Sequence, residues 1–366
     1  MTAQQLVDLT ERVGPVMIFL VAITVVAEIA DIAGVFDVAG HWAARLARHR
    51  TPLLWLLLVL LSCLATIVLS LDTTAVLLTP VVIAVARQLG LSAVPFVMTT
   101  VWLANTASLL LPVSNLTNLL ALHHFSLLGL GTAGYLRLAV WPALASIAAT
   151  VVVLAVLHRR SLRGRCALDA PPEPHDRVLL VVAGAVCVAL GPAFVSGVTP
   201  AIPATIAAVV LAAVLRARSR GALRTVKVPW LVVLGVCALF VVVDVAGRHG
   251  LNALVTAWVG DGTSGADLLR LSGIGAVLAN VVNNLPAYLA LEPVASADPR
   301  RLMALLIGVN CGPLVTIWAS LATILWRDRC RKGDVSVSVA TFAWQGALCA
   351  AASIGAAVAT LTWLAP

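Results

Sequence analysis

A segment that crosses a bilayer must satisfy its own backbone, and the apolar run from Trp102 to Asn118 cannot do so as one continuous helix. Asn105, Thr106 and Ser108 interrupt it, and Pro112 removes a donor and crowds the preceding turn. Ser114-Asn115-Leu116-Thr117-Asn118 then adds hydroxyls and amides where hydrocarbon is expected. Unwound backbone at membrane depth is tolerated only inside protein or beside a wet cavity. The competing reading, a surface loop between two short helices, is weakened by a second copy of the pattern. Ile307 to Leu325 carries Asn310, Gly312-Pro313, Thr316, Ser320 and Thr323, so both stretches read Asn, Pro, then Ser-x-x-Thr. Each copy is preceded by a polar interruption in an apolar stretch. In the first this is Ser70-Leu71-Asp72-Thr73-Thr74, followed by Pro80; in the second it is Asn280 with Asn283-Asn284-Leu285-Pro286, followed by Pro293. Two halves, each with a polar hairpin tip and then a broken helix, are the pattern of a secondary transporter whose site lies between repeats.

The composition agrees with a membrane class. Of 366 residues, 61% are apolar and 11% charged, against roughly half and a quarter in soluble domains. A net charge of +8 would suggest nucleic acid in a soluble protein. Here Lys and Arg fall in short loops between apolar segments, as the positive-inside bias requires, so they set topology and no nucleic-acid partner is expected. The seven cysteines form no CxxC pair and most sit in apolar runs, so neither a disulfide framework nor a metal site is expected. Thr2 to Arg12 is polar rather than a basic leader, and no cleavable signal peptide is expected.

Taken in order, the sequence predicts an all-α polytopic membrane protein of two inverted repeats, each with a re-entrant hairpin and a broken transmembrane helix. The first repeat spans residues 13–157: a span to Ala30, an amphipathic interfacial helix over Gly34 to Arg48, the hairpin about Asp72, the broken helix, and a span from Tyr135 to Leu157. A basic, proline-containing cytoplasmic linker covers 158–177, and a connecting transmembrane pair covers 178–216. The second repeat covers 228–326, opening with Trp230 to Val245, and a terminal span covers 335–364. Basic residues at Arg45 to Arg50 follow the first repeat's opening span, whereas Lys227 precedes that of the second, which makes the copies inverted.

These residues carry a resemblance: Asp72 with Leu78-Thr79-Pro80, Asn105-Thr106-Ala107-Ser108, Ser114 to Asn118, Asn283-Asn284-Leu285-Pro286, and Gly312-Pro313 with Ser320 to Trp326. In that order, from about Gly14 on, they resemble the ArsB arsenite permease family, within the ion transporter superfamily that also holds NhaD sodium/proton antiporters and divalent-anion symporters. The resemblance implies a multi-pass protein of the cell membrane that exports arsenite or antimonite. Sodium/proton exchange or sodium-coupled organic-anion transport are the alternatives within transport. A channel-like protein or a non-transporting scaffold is the alternative from another class. The chain departs from the family pattern where Asn105 and Asn310 replace acidic residues and where Leu314 and Ile317 replace Lys and Pro. It also reads about two spans shorter at its N-terminus than such permeases.

The expected substrate and ion site comprises Asp72, Thr73, Asn105, Ser114, Asn115, Thr117, Asn283, Asn284, Asn310, Ser320 and Thr323. A carboxylate at Asp72, flanked by apolar residues, costs several kcal/mol unless solvated or paired, which suits a proton or cation switch; the bland alternative is a helix cap. Asn283 and Asn284 are read equally as caps. Without Lys or Arg in these motifs, a multiply charged anion lacks its usual partner. Cys311 could touch a thiophilic metalloid, though a lone buried Cys is more often packing. Glu28, Asp31 and Asp244 read as snorkelling ends of spans, His123 and His124 as interfacial, and Trp102, Trp141, Trp230, Trp318, Trp326 and Trp344 mostly as belt residues. No HExxH, GxSxG or nucleotide-binding motif occurs. No enzyme activity and no cofactor are therefore expected, and any ATPase would be a separate subunit. The expected partners are a small inorganic substrate or ion and the lipid bilayer, with a homodimer left open.

Overall fold

The computed structural model describes residues 3–163 except His49, 176–219 except Gly197, Gly221, Val226, Trp230, Leu234, Gly235, Ala238, and 257–364. Most of the expected Trp230 to Val245 span, with Asp244, Lys227 and the middle of the linker, lies outside the described residues. Among the described residues every regular element is helical, and eight helices are long and apolar enough to cross a membrane.

The helices are α1 (Ala3–Ile32), α2 (Val35–Leu46), α3 (Thr51–Leu69), α4 (Leu71–Gln88), α5 (Val94–Thr106), α6 (Leu116–Leu127), α7 (Gly131–Leu157), α8 (Arg177–Val195), α9 (Ala201–Arg218), α10 (Gly265–Val282), α11 (Asn284–Ala295), α12 (Pro299–Cys311), α13 (Leu321–Lys332) and α14 (Val339–Trp363). Pro52, Pro95 and Pro299 stand in the first turns of α3, α5 and α12, where a missing N–H costs nothing. Pro80 is different. It cannot donate to the carbonyl four residues back, and the wider π turn at Thr74–Leu78 sits there, so α4 continues through the proline instead of breaking.

The two halves share local geometry. The α3–α4 junction turns at Ser70 (φ 123°) and the α10–α11 junction at Asn283 (φ 109°). At each, the side chain accepts from the amide of the following turn, Thr73 in one and Leu285 in the other. The segments after α5 and α12 then run without α-helix until Asn115 and Ser320 cap α6 and α13, accepting from Thr117 N and Thr323 N.

Breaking a helix in the interior leaves backbone groups that must find partners. In the first break, the Tyr135 hydroxyl of α7 donates to Leu109 O at 2.7 Å and Ser146 Oγ to Thr106 O at 3.2 Å. In the second, Asn280 of α10 does both jobs: its Nδ2 donates to Gly312 O at 2.7 Å, while its Oδ1 accepts from Val315 N and Thr316 N at 3.2 and 3.0 Å. Helix α14 closes over this second break, since Gly346 has no Cβ to meet Leu314 O. Removing one strap should have a measurable but moderate effect. Tyr135→Phe is expected to lower stability by about 1–2 kcal/mol, because Leu109 O stays buried and loses its donor; thermal unfolding in detergent reads this out, and an unchanged midpoint would mean another donor takes over.

Outside this core, Asp176 caps α8 through Val178 N and Leu179 N and takes a 2.7 Å hydrogen bond from Arg218 Nε, tying α8 to the end of α9. That hydrogen bond holds the Asp176 carboxyl below its ordinary range.

Candidate functional site

Residues from the α3–α4 and α10–α11 junctions line one chamber. A cavity of about 250 Å³ is lined by Asp72, Asn115, Asn283 and Asn284, with Leu20 of α1 and Leu321 of α13 among its apolar walls. Neither Lys nor Arg lines it among the described residues.

The valences of these side chains differ, and that separates their possible roles. Asn283 spends its Nδ2 on Trp318 O at 2.8 Å and its Oδ1 on Leu285 N at 3.3 Å. The neighbouring Asn284 N donates to Ala319 O, so the second tip is tied to its own break. Asn115 is likewise committed, to Thr117 N and to Asn310. Asp72 is not: its Oδ1 is out of contact with solvent and has no hydrogen-bond partner among the described residues. Nor does it cap α4, because Ser70 holds the cap position and accepts from Thr73 N at 3.4 Å. The capping alternative for Asp72 therefore falls, since a residue already inside the helix's first turn cannot be the N-cap.

Behind the chamber, Asn310 at the end of α12 enters the first break. Its Oδ1 accepts from Asn115 Nδ2 and from Ser108 Oγ (3.3 Å), and its Nδ2 donates to Asn118 Oδ1 at 2.6 Å. Asn118 in turn donates to Ser108 O and Leu111 O. One amide of the second half thus joins the unwound segment of the first.

The remaining expected residues are placed nearby in different ways. Thr73 faces a second cavity shared with Asp72. Ser114 Oγ donates to Ile67 O at 2.9 Å, tying the first break to α3. Thr117 is buried in the first turn of α6 with its Oγ1 unpartnered. Ser320 and Thr323 hydrogen-bond each other at 2.9 Å in the cap of α13. Asn105 turns back on its own helix, with Nδ2 on Val101 O and a buried, unpartnered Oδ1, and it lines neither cavity. Cys311 is fully buried and also lines neither.

Several residues carry more than their sequence context suggests. Glu28 lines the second cavity together with Asp72, so it is more than a snorkelling span end. Glu292 of α11 is buried, accepts from Tyr288 Oη at 2.8 Å and pairs at 3.0 Å with Nε2 of His124, which joins α11 to α6. A Glu inside an apolar helix was the available signal. Trp102 and Trp326 are buried rather than belt residues, and Trp326 Nε1 donates to Val97 O at 2.9 Å. Trp141, Trp230, Trp318 and Trp344 are exposed, as belt residues are.

Comparison with known proteins adds ancestry to this geometry. The family model described as citrate transporter matches residues 4–323. The chain is similar to the arsenical pump membrane protein of Escherichia coli K12, 30% identical over 341 residues, covering 87% of this chain and 79% of that protein. It is 30% identical over 349 residues to that of Yersinia enterocolitica, with the same coverage. It is also 26% identical over 375 residues to an uncharacterised transporter of Mycobacterium tuberculosis H37Rv, covering 95% of this chain and 85% of that one.

Proposed function

The chain belongs to the citrate transporter family, and from that premise we propose that this multi-pass transporter of the cell membrane is a secondary permease exporting arsenite and antimonite. The observation that carries the proposal is the chamber lined together by the carboxylate residue Asp72 and the asparagines Asn115, Asn283 and Asn284, with no Lys or Arg among the described residues. Arsenous acid is a small neutral hydroxide whose O–H groups need acceptors, and Asp72 brings the acidic acceptor to the chamber wall. Thr73, Thr117, Ser320 and Thr323 add hydroxyls at the adjoining helix starts, while Asn105, Ser114, Asn115 and Asn310 position the break. The similarity to arsenical pump membrane proteins points the same way.

The description citrate transporter favours a second reading, sodium-coupled uptake of an organic anion. A polycarboxylate in this chamber would find among the described residues no Arg or Lys of the kind that ordinarily receives it, and so the neutral substrate is preferred. The halves are read as inverted repeats, 13–157 and 228–326, around a connecting pair. This is supported by the matched tips and breaks. It is also supported by the contact of Arg87, at the end of α4, with Gly333 O beyond α13, whereas Arg300, at the start of α12, reaches Leu361 O and Thr362 O at the end of α14. A separate ATPase subunit and a homodimer belong to the same proposal as partners.

Metalloid-sensitive cells supply the test. Cells expressing the chain should tolerate arsenite and antimonite better than empty-vector cells and accumulate less of either, with no change toward arsenate. Unchanged tolerance together with sodium-dependent anion uptake would move the chain to the symport reading.

A further inference from the structure

The chamber at the two tips is not the only space that touches Asp72. A second cavity of about 260 Å³ is lined by Thr24, Ala27 and Glu28 of α1, by Asp72, Thr73 and Val76 of α4, and by Leu325 and Arg329 of α13. The two spaces share three residues, Leu20, Asp72 and Leu321. From Leu20, the stripe Thr24, Ala27, Glu28 follows one face of α1 at helical spacing; from Leu321, Leu325 and Arg329 follow one face of α13. Both walls end eight residues from the shared girdle, about 12 Å along a helix axis. The far end of this space is charged. Glu28 and Arg329 stand there, partly exposed, and Arg329 is within electrostatic reach of Asp31. Beyond it α13 ends in Arg331 and Lys332, and Arg87 binds Gly333 O. The space therefore leads from the basic face of the protein to Asp72.

We infer that this second cavity is an access path from the basic face to the tip chamber, with Leu20 and Leu321 as its apolar constriction and Glu28 and Arg329 at its mouth setting which charges enter. An acid on the α1 wall and a base on the α13 wall leave a neutral solute unaffected, and each disfavours ions of its own sign. The inference rests on the tip chamber being the substrate site. It deepens that reading by assigning the route and the residues that select on it.

Thiol labelling tests the path without any substrate. Thr24→Cys and Leu325→Cys, one on each wall, are exposed to membrane-impermeant methanethiosulfonates in sealed vesicles of both orientations, with the unaltered chain as blank and Ile18→Cys as comparison. Ile18 is 55% exposed on the same helix but lines neither cavity. Both wall cysteines are expected to react from the basic face at least about ten-fold faster than Ile18→Cys, because the reactive thiolate forms only where water reaches. A charged reagent then reads the mouth. In the Thr24→Cys chain, Arg329→Gln should lower the ratio of anionic to cationic labelling rates by about five-fold at low salt, and Glu28→Gln should raise it by a similar factor. Wall cysteines that react no faster than Ile18→Cys, or react only from the opposite face, would overturn the path; rate ratios unmoved by both charge changes would overturn the selecting mouth. Intact labelling in a chain that confers no metalloid tolerance would instead remove the arsenite reading and leave the path standing.

Discussion

Asp72→Ala is expected to reduce transport by about 10- to 100-fold, the worth of a hydrogen bond to a charged group in a site that offers no substitute, while leaving the protein folded. The expectation of intact folding follows from local geometry. Ser70, not Asp72, caps α4, and Asp72 Oδ1 holds no hydrogen bond that its removal would break. Only the interaction of a first-turn carboxylate with the helix dipole is lost, about 0.3–1 kcal/mol. Ser70→Ala is the counterpart, costing about 1 kcal/mol of stability with little direct effect on the substrate. Asp72→Asn separates shape from charge, since the amide keeps the volume but cannot exchange a proton. In proteoliposomes at a fixed imposed potential, wild-type flux should vary with pH and Asp72→Asn flux should not. An Asp72→Asn flux with the wild-type pH profile would show that coupling resides elsewhere, and a wild-type flux indifferent to pH would make the protein a uniporter.

The features most legible in the sequence are those that violate the apolar pattern. The breaks at Pro112 and Pro313 and the polar interruptions at Ser70 and Asn283 are visible because a lipid-facing helix cannot carry them, and each coincides with an interruption of regular helix. What sequence could not supply is the face on which a residue sits. Glu28 reads as the end of a span, yet it lies on the stripe of α1 that meets Asp72 across a cavity. Trp102 and Trp326 have the composition of interfacial anchors, but they are packed between helices that are far apart in the chain. Asn280 stands out as a polar interruption, while its three hydrogen bonds to the second break depend on α10 packing beside a segment some thirty residues further on. At Ser70 the ambiguity was local: Ser and Asp both cap helices, and only the backbone turn at φ 123° decides which one does.

The largest loss of stability is expected at Asn310, where one side chain of the second half hydrogen-bonds three residues of the first. Asn310→Ala removes the acceptor used by Asn115 and Ser108 and the donor used by Asn118. All three partners are buried. Ser108 Oγ keeps its 2.7 Å bond to Asn105 O, but Asn115 Nδ2 and Asn118 Oδ1 lose their Asn310 partner, at about 1–3 kcal/mol each, so the variant should lose several kcal/mol and fail to accumulate in the membrane, or unfold at much lower temperature in detergent. Asn310→Asp makes a sharper test. The donations of Asn118 Nδ2 to Ser108 O and Leu111 O fix its carbonyl oxygen toward position 310. An ionised carboxylate there still accepts from Asn115 and Ser108 but presents an oxygen to an oxygen at Asn118. Protonation restores a donor at that contact. Asn310→Asp is therefore expected to be destabilised near neutral pH and to recover part of the loss as pH is lowered toward 5. The wild-type amide has nothing to titrate, so the wild-type chain should show no recovery of that kind. Unfolding midpoints measured for both chains across pH 5 to 8 decide the matter: parallel profiles would mean that Asn118 can turn its amide, and that the join between the halves does not depend on the donor at Asn310.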